Sequence, residues 1–293
     1  MTTYPHLPLT TPATASSTSN DVTAPPRHAR LGVRQRLLGL GIRALGPLSQ
    51  GMRIGLRHGF ESGSSLDYVY DNQAQGRLGI GKVLDRAYLN QTGWRSIRER
   101  KATLKDTLRA LVALRSEPLV ILDIAAGGGR YLLEFLAECP AAPVQVIAQD
   151  LAPAGLERGQ ARATQLGVTG RVRFQTGDAF SLKNLLSIEP RPQVVIASGL
   201  YEIFLDDLLI QTSMNQIFEL LTAGDLFIFT NQPHHPQLDD IAALPNRFGQ
   251  PWQMKLRPTA QMEGWARTAG FEIVSSRPAD QAGLFTLTIA RKP

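Results

Sequence analysis

From residue 119 onward, short runs of β-branched and apolar residues alternate with segments of helical periodicity. The runs span residues 119–125, 144–150, 171–176, 193–198, 225–230, 271–276 and 284–290. Helices are expected at residues 129–138, 153–166, 206–222 and 259–269. This alternation predicts βαβ units and therefore an α/β fold, a Rossmann-like doubly wound seven-stranded sheet. The last two runs are too close together for a crossover helix, so we expect an antiparallel C-terminal hairpin.

The composition of the chain before the sheet predicts three further segments. Residues 1–26 are rich in Thr, Ser, Pro and Ala and lack apolar periodicity, which predicts a disordered N-terminal tail. Residues 27–60 form a basic arm, because residues 27–58 hold seven arginines, two histidines and no acidic residue. Apolar positions at helical spacing over residues 61–116 predict an α-helical cap, which leaves residues 117–293 as the core.

The net charge of +6 is uneven, since residues 1–101 contain 14 Lys and Arg against 6 Asp and Glu, whereas the remainder contains 17 against 19. Leu31, Leu38 and Leu45 recur at seven-residue spacing, which predicts an amphipathic helix in peripheral contact with an anionic membrane. Several glycines lower the helix propensity of this segment, so an arm folded back on the main domain is the alternative.

The remaining composition narrows the class of protein. A single cysteine, Cys139, excludes a disulfide framework and a multi-cysteine zinc site, and we expect no bound metal. The chain has neither an apolar run of about 18 residues nor the apolar core of a secretory signal. We therefore expect a cytoplasmic protein, with the basic arm as its one peripheral contact with a membrane.

Three consecutive glycines, Gly127 to Gly129, follow the first strand, where ligands bind in a doubly wound sheet. A dinucleotide fingerprint would need a third glycine at the position of Leu132. The carboxylate of Asp123, four residues before Gly127, would also lie poorly beside a pyrophosphate. Both departures disfavour a nicotinamide or flavin dinucleotide.

The pattern Asp123-x-Ala125-x-Gly127-x-Gly129 resembles motif I of the class I S-adenosylmethionine (SAM)-dependent methyltransferases. That motif has the form [DE]-x-G-x-G-x-G, and alanine replaces its first glycine here. Small residues at these positions let the backbone lie against the methionine part and the ribose of the cofactor. The resemblance therefore implies SAM as the cofactor.

The same resemblance assigns cofactor contacts after the next three strands. Asp150 ends the second strand, where an acid can bind both ribose hydroxyls, and Leu151 follows it. Asp178 matches the acid that holds the adenine amino group, and Ala179 would supply a backbone donor. Ser198 opens the segment corresponding to motif IV, which faces the transferable methyl group.

A narrower resemblance rests on four segments: "LDYVYDNQAQGRLGIGKVLDRAYLNQTGWRSIRERKATL", "SGLYEIF", "QPHHPQL" and "GQPWQMKLR". Together they are similar to a family of uncharacterised bacterial methyltransferases, some of which are fused to an α/β-hydrolase domain. The similarity covers roughly residues 60–293, and alanine in motif I is usual in this family. His234 stands where the family usually has tryptophan. From the cap, Tyr68, Tyr70 and Arg77 are candidate contacts to the carboxylate or adenine of the cofactor.

Candidates for orienting or deprotonating a methyl acceptor are Tyr201 and Glu202 after the fourth strand, and His234 and His235 after the fifth. The motif used on exocyclic amines of bases is missing, and Cys139 lies far from the positions of cysteine nucleophiles. We therefore predict methyl transfer to an oxygen or nitrogen of a small-molecule or lipid-related acceptor. The alternatives are an RNA methyltransferase that uses the basic arm for phosphate contacts, and a non-catalytic SAM-binding module.

Overall fold

The computed structural model describes residues 33–115 and 117–293. The predicted disordered tail and the first residues of the basic arm, with Leu31, lie outside this part of the chain. Before the first strand the described chain forms five α-helices: α1 (Val33–Leu45), α2 (Gln50–His58), α3 (Gly63–Asp71), α4 (Leu78–Leu89) and α5 (Thr92–Ala113). Helices α3, α4 and α5 lie within the residues expected to form the α-helical cap, whereas α1 and α2 lie within the expected basic arm.

The core is the predicted seven-stranded sheet, with strand order β3-β2-β1-β4-β5-β7-β6. The strands are β1 (Leu119–Asp123), β2 (Val144–Asp150), β3 (Val172–Thr176), β4 (Val194–Ala197), β5 (Leu226–Asn231), β6 (Glu272–Pro278) and β7 (Thr286–Arg291). Strands β1 to β5 are parallel, and β7 pairs antiparallel with both β5 and β6. The chain order reverses between β1 and β4, so the carboxyl ends of these two strands form the crevice where ligands bind in such sheets.

Helices cover both faces of the sheet because successive strand residues point to opposite sides. On one face, Ile121 of β1 packs in a cluster with α5 and α6, whereas Leu122 packs on the other face with α9 and α11. The helices of the core are α6 (Arg130–Glu138), α7 (Pro153–Gln165), α8 (Leu182–Leu186), α9 (Asp207–Leu220), α10 (Leu238–Ile241) and α11 (Thr259–Thr268). This arrangement confirms the fold expected from the alternating pattern.

Helix α2 packs against the cap, although the sequence placed it in the basic arm. A Cβ at Gly51 would lie within 2.5 Å of the Tyr88 ring, and one at Gly55 would lie equally close to the Phe60 ring. Both glycines therefore allow α2 to approach those rings closely. Within the described residues, none of the helices combines the length and apolar character that crossing a membrane requires.

A buried carboxylate also ties the segment before α2 to the cap. Asp85 of α4 accepts hydrogen bonds from the Ser49 hydroxyl at 2.6 Å, from the Gly51 amide at 2.8 Å and from the Tyr68 hydroxyl. The phenol of Tyr68 is committed to this network, so its candidate role as a cofactor contact is replaced by a structural one. A buried charge with this many donors is well compensated, which fixes α2, α3 and α4 relative to one another.

Candidate functional site

The glycine turn after β1 leaves one of its faces open. Gly127 has φ +56° and Gly129 has φ +61°, in the left-handed region that favours glycine. A Cβ at Gly127 would meet nothing within 4 Å, whereas a Cβ at Gly155 of α7 would lie 3.1 Å from the Gly127 backbone. The turn therefore rests on a glycine of α7 and presents open backbone on its other side.

Asp150, at the end of β2, fixes the shape of this turn. One carboxylate oxygen accepts from the Gly127 amide and the other from the Ala152 amide, both at 2.8 Å. An ionised carboxylate has about four lone-pair sites, so two backbone donors leave room for two further donors. The arrangement fits the predicted contact with a pair of ribose hydroxyls.

Asp123, at the end of β1, is almost fully buried beneath the turn. Its Oδ2 accepts from the Tyr131 hydroxyl at 2.8 Å, while Oδ1 has no hydrogen-bond partner among the described residues. Burial raises the pKa of this carboxyl from 3.8 to about 7, and the hydrogen bond from Tyr131 and the backbone amide of Ala125 only partly oppose that rise. An unpartnered buried oxygen at this position is suited to a cationic or hydrogen-bond-donating ligand group.

The segment after β3 lies beside the end of β2, as the adenine assignment requires. The Gly177 amide donates a hydrogen bond to the Asp150 carbonyl at 3.1 Å. The Phe180 amide donates to the Asp178 carboxylate at 2.9 Å and so holds that carboxylate in place. Ala179 is buried next to Asp178. The Leu151 side chain is 44% exposed and offers an apolar surface next to Asp150.

Tyr70, Arg77 and Ser198 were also predicted to contact the cofactor, and they lie in different parts of the structure. The Tyr70 ring lies 5.6 Å from the guanidinium of Arg130, the first residue of α6, and is therefore close to the glycine turn. Ser198 follows β4, and its Oγ lies 3.5 Å from the Thr230 hydroxyl. Arg77 is exposed at the start of α4, and its side chain makes no hydrogen bond or ion pair with any described residue.

Next to Ser198 a cavity of about 280 Å³ opens between the cap and the carboxyl ends of β4 and β5. Gly199, Glu202 and His235 line it from the sheet side, and most of the remaining wall is apolar or aromatic. The described residues contain no group of three or more His, Cys, Asp or Glu side chains arranged to hold a metal ion. The cavity therefore offers an apolar enclosure with a few polar groups, as small-molecule sites usually do.

Glu202 forms a buried ion pair with Arg100 of α5. Arg100 Nη1 donates to Glu202 Oε1 at 3.0 Å, and both side chains are less than a tenth exposed. The Arg100 guanidinium also lies 4.3 Å from the centre of the Phe285 ring. Glu202 Oε2 is buried with no partner among the described residues, so this oxygen of a cavity-lining side chain is available to a ligand.

His235 also lines the cavity, but its geometry favours a donor over a base. Its Nδ1 accepts from the Gln237 amide at 3.1 Å, so the neutral ring carries its proton on Nε2. Burial, with a smaller contribution from His234, lowers the pKa of His235 from 6.5 to about 4. The imidazole is therefore neutral near pH 7, and His234 itself is exposed.

Tyr201, a predicted catalytic residue, lies in the core instead of the cavity wall. The side chain is fully buried, its ring packs 6.5 Å from that of Phe229, and its hydroxyl shares a 3.1 Å hydrogen bond with Ser213. Burial also raises the pKa of the phenol above its usual value. A hydroxyl enclosed in this way cannot touch an acceptor, so the prediction for Tyr201 is wrong.

Sequence reasoning also missed a residue that holds the turn carrying Glu202. Arg257 is fully buried and donates to the Tyr201 carbonyl at 2.7 Å and to the Phe204 carbonyl at 2.8 Å. Its Nε donates to Asp207 at 2.9 Å. Arg257 belongs to the segment "GQPWQMKLR" that carried the narrower resemblance, and this was the one signal that could have found it.

Comparison with other sequences identifies relatives of the chain. A family model described as "Putative methyltransferase" matches residues 10–292. The uncharacterised protein YnbC of Escherichia coli strain K12 is 40% identical over 260 residues, which make up 87% of this chain and 44% of that protein. The chain therefore spans less than half the length of this relative.

Solved structures share the fold at low sequence identity. A possible exported protein from Bordetella parapertussis matches with a TM-score of 0.64 and 19% identity, covering 93% of this chain and 100% of that one. The magnesium protoporphyrin IX methyltransferase of Synechocystis with bound SAH matches with a TM-score of 0.57 and 14% identity, covering 80% of this chain and 97% of its own. The fold is thus one that methyltransferases use.

The raised pKa of Asp123 makes the stability of the cofactor-free protein depend on pH. The folded state keeps this proton between pH 3.8 and about 7, where the unfolded chain has lost it, so the stability from this group falls as the pH rises through that interval. Asp123→Asn cannot titrate. We subtract the free energy of unfolding of wild type from that of the variant, both measured by urea denaturation. This difference should increase by about 2–3 kcal/mol when the pH is raised from 5 to 8. A difference that stays constant with pH would show that the Asp123 carboxyl is ionised throughout.

Proposed function

The chain belongs to the methyltransferase family whose model it matches, and from this premise we propose that it methylates an oxygen or nitrogen of a small-molecule or lipid-related acceptor held in the cavity. The enzyme is a SAM-dependent methyltransferase with SAM as its cofactor. The observation that carries the proposed acceptor site is Glu202 Oε2, a buried unpartnered oxygen in a cavity that adjoins the end of β4.

The residues around the glycine turn fit the cofactor. Gly127 provides open backbone, Asp150 retains capacity for two more donors, and Asp123 has a buried unpartnered oxygen. When bound, SAM supplies a methyl carbon that its sulfonium activates for in-line displacement. The rest of the catalytic task for the protein is alignment of the two reactants, which can contribute about 7–11 kcal/mol.

On the acceptor side, this alignment falls to the residues that line the cavity. Glu202 Oε2 is placed to accept a hydrogen bond from a hydroxyl or amino group, which turns a lone pair of that group away from the carboxylate. His235 Nε2–H can donate a second hydrogen bond to the same acceptor. Trp94 and Trp252 from the cap and the segment after α10 enclose the cavity and limit the access of water.

Calorimetric titration tests the cofactor, and labelled methyl transfer tests the reaction. We expect saturable binding of SAM, no signal with NAD, and incorporation of label from SAM into a small molecule of a bacterial metabolite or lipid extract. Binding of SAM without label in any fraction would instead favour the non-catalytic module. Absence of SAM binding would contradict the assignment of the glycine turn.

Substitution of His235 tests whether its side chain acts as a hydrogen-bond donor or as a general base. His235→Gln keeps an N–H group near the position of Nε2, so we expect the initial rate of label incorporation to stay within about threefold of wild type. His235→Ala removes the donor and should lower the rate about tenfold or more. Because the pKa of His235 lies near 4, the wild-type rate should show no inflection near pH 6.5. An inflection there, with equal losses in both variants, would contradict the donor role.

We also propose that α1 brings the protein to anionic membranes. Leu37, Leu40 and Leu45 are each more than half exposed, while Ile42 of the same helix lines the cavity. Arg43 is exposed beside these leucines, and the described part of the basic arm contains no acidic residue. Apolar side chains flanked by cations suit an anionic bilayer surface.

Introducing two negative charges on α1 tests the membrane contact without removing the cavity wall. Leu40→Glu combined with Leu45→Glu should reduce co-sedimentation with phosphatidylglycerol-containing vesicles about tenfold and leave SAM binding unchanged. Unchanged vesicle binding would contradict the proposal. Salt-sensitive binding of RNA without vesicle binding would favour the RNA methyltransferase.

A further inference from the structure

Unpartnered polar atoms concentrate in the cavity between the cap and the sheet. Nine buried side-chain atoms of the described residues lack a hydrogen-bond partner, and four of them belong to residues that line this cavity. These four are Glu61 Oε2, Tyr88 Oη, Glu202 Oε2 and Trp252 Nε1. Buried polar groups normally have partners, so four unpartnered atoms around one cavity indicate a ligand that supplies the missing hydrogen bonds.

The two glutamates share one arrangement although they come from opposite parts of the fold. Glu202 follows β4, and Arg100 holds its Oε1 at 3.0 Å. Glu61 precedes α3 in the cap, and its Oε1 accepts from the Arg247 side chain at 3.1 Å and from the Arg247 amide at 2.7 Å. In each pair the arginine fixes the carboxylate through one oxygen, and the second oxygen is left for a hydrogen-bond donor.

Aromatic rings form the wall between these polar groups. The Tyr88 ring lies 6.2 Å from that of Phe60 and 5.5 Å from that of Trp94. Trp94 and Trp252 stack with centroids 6.2 Å apart and an angle of 21° between the planes. Such a wall favours a flat, largely apolar body, because aromatic faces pack well against other rings.

We propose that the acceptor is a ring-bearing apolar molecule with hydroxyl or amino groups at two separate positions, one for Glu202 and one for Glu61. Carboxylated and phosphorylated compounds fit this site poorly, because their anions would meet the two unpartnered carboxylate oxygens, while the cavity-lining Arg100 is already paired with Glu202. The group at Glu202 is the one that receives the methyl group: its lone pair forms the new bond as the bond between the methyl carbon and the cofactor sulfur breaks, and its proton passes to Glu202 Oε2. This inference rests on the proposed function and specifies the substrate class of the same site.

Three simple naphthalene derivatives serve as probes in calorimetric titrations of the full chain. We expect 2,6-dihydroxynaphthalene to bind about tenfold or more tightly than 2-naphthol, because only the diol can donate at two positions. Naphthalene-2,6-dicarboxylate should give no detectable binding. Equal affinity for the diol and the dicarboxylate would overturn the proposal, and so would absence of binding by all three probes.

Two substitutions change the polarity of the unpartnered atoms and keep the shape of the side chains. Arginine can only donate hydrogen bonds, so in Glu61→Gln and Glu202→Gln the amide oxygen must face its arginine and the amide NH₂ must face the cavity. An acceptor therefore becomes a donor. Each variant should bind the diol about tenfold more weakly, and the double variant should gain measurable affinity for the dicarboxylate.

Glu263→Gln is the matched control, since Glu263 pairs with Arg267 on the surface of α11, away from the cavity. Its affinities should equal those of wild type. Diol affinities in Glu61→Gln and Glu202→Gln that match this control would overturn the proposal. Because the titrations require no turnover, diol binding without transfer of labelled methyl would contradict the proposed function and leave the ligand class in place.

Discussion

The buried ion pair between Arg100 and Glu202 joins the cap helix α5 to the turn after β4, and both residues line the cavity proposed to hold the acceptor. Truncation of either side chain to alanine would remove the hydrogen bond as well as the charge of a pair that is less than a tenth exposed, at a cost of about 3–5 kcal/mol. Arg100 also packs over Phe285, next to the antiparallel strand β7. The ion pair thus links the cap to the sheet and leaves the second oxygen of Glu202 without a partner among the described residues.

Most of the core was predictable because its signals are local. Strands β1 to β7 and helices α6, α7, α9 and α11 lie within a few residues of the expected ranges, since buried strands and amphipathic helices each have their own periodicity. The glycine turn, Asp123 and Asp150 became candidates on similarly local grounds, because each stands at the end of a strand. In a parallel sheet, residues at strand ends must meet at one edge.

The acceptor site was harder to predict because its residues come from distant segments. Glu61, Arg100 and Trp252 have no fixed spacing to the strand ends, and only the packing of the cap brings them to the cavity. Tyr201 and Glu202 are neighbours in one short turn, yet one side chain enters the core and the other lines the cavity. That choice depends on the turn held by the buried guanidinium of Arg257, which strand position alone does not specify.

The most direct test of the whole account is a crystal structure of the full chain with S-adenosylhomocysteine and 2,6-dihydroxynaphthalene. The account predicts ribose hydroxyls within hydrogen-bond distance of Asp150, the nucleoside along the open face of Gly127, and the diol in the separate cavity with one hydroxyl on Glu202. Nucleoside density in the cap cavity, or a diol whose hydroxyls avoid both Glu202 and Glu61, would contradict the division of the site into cofactor and acceptor halves.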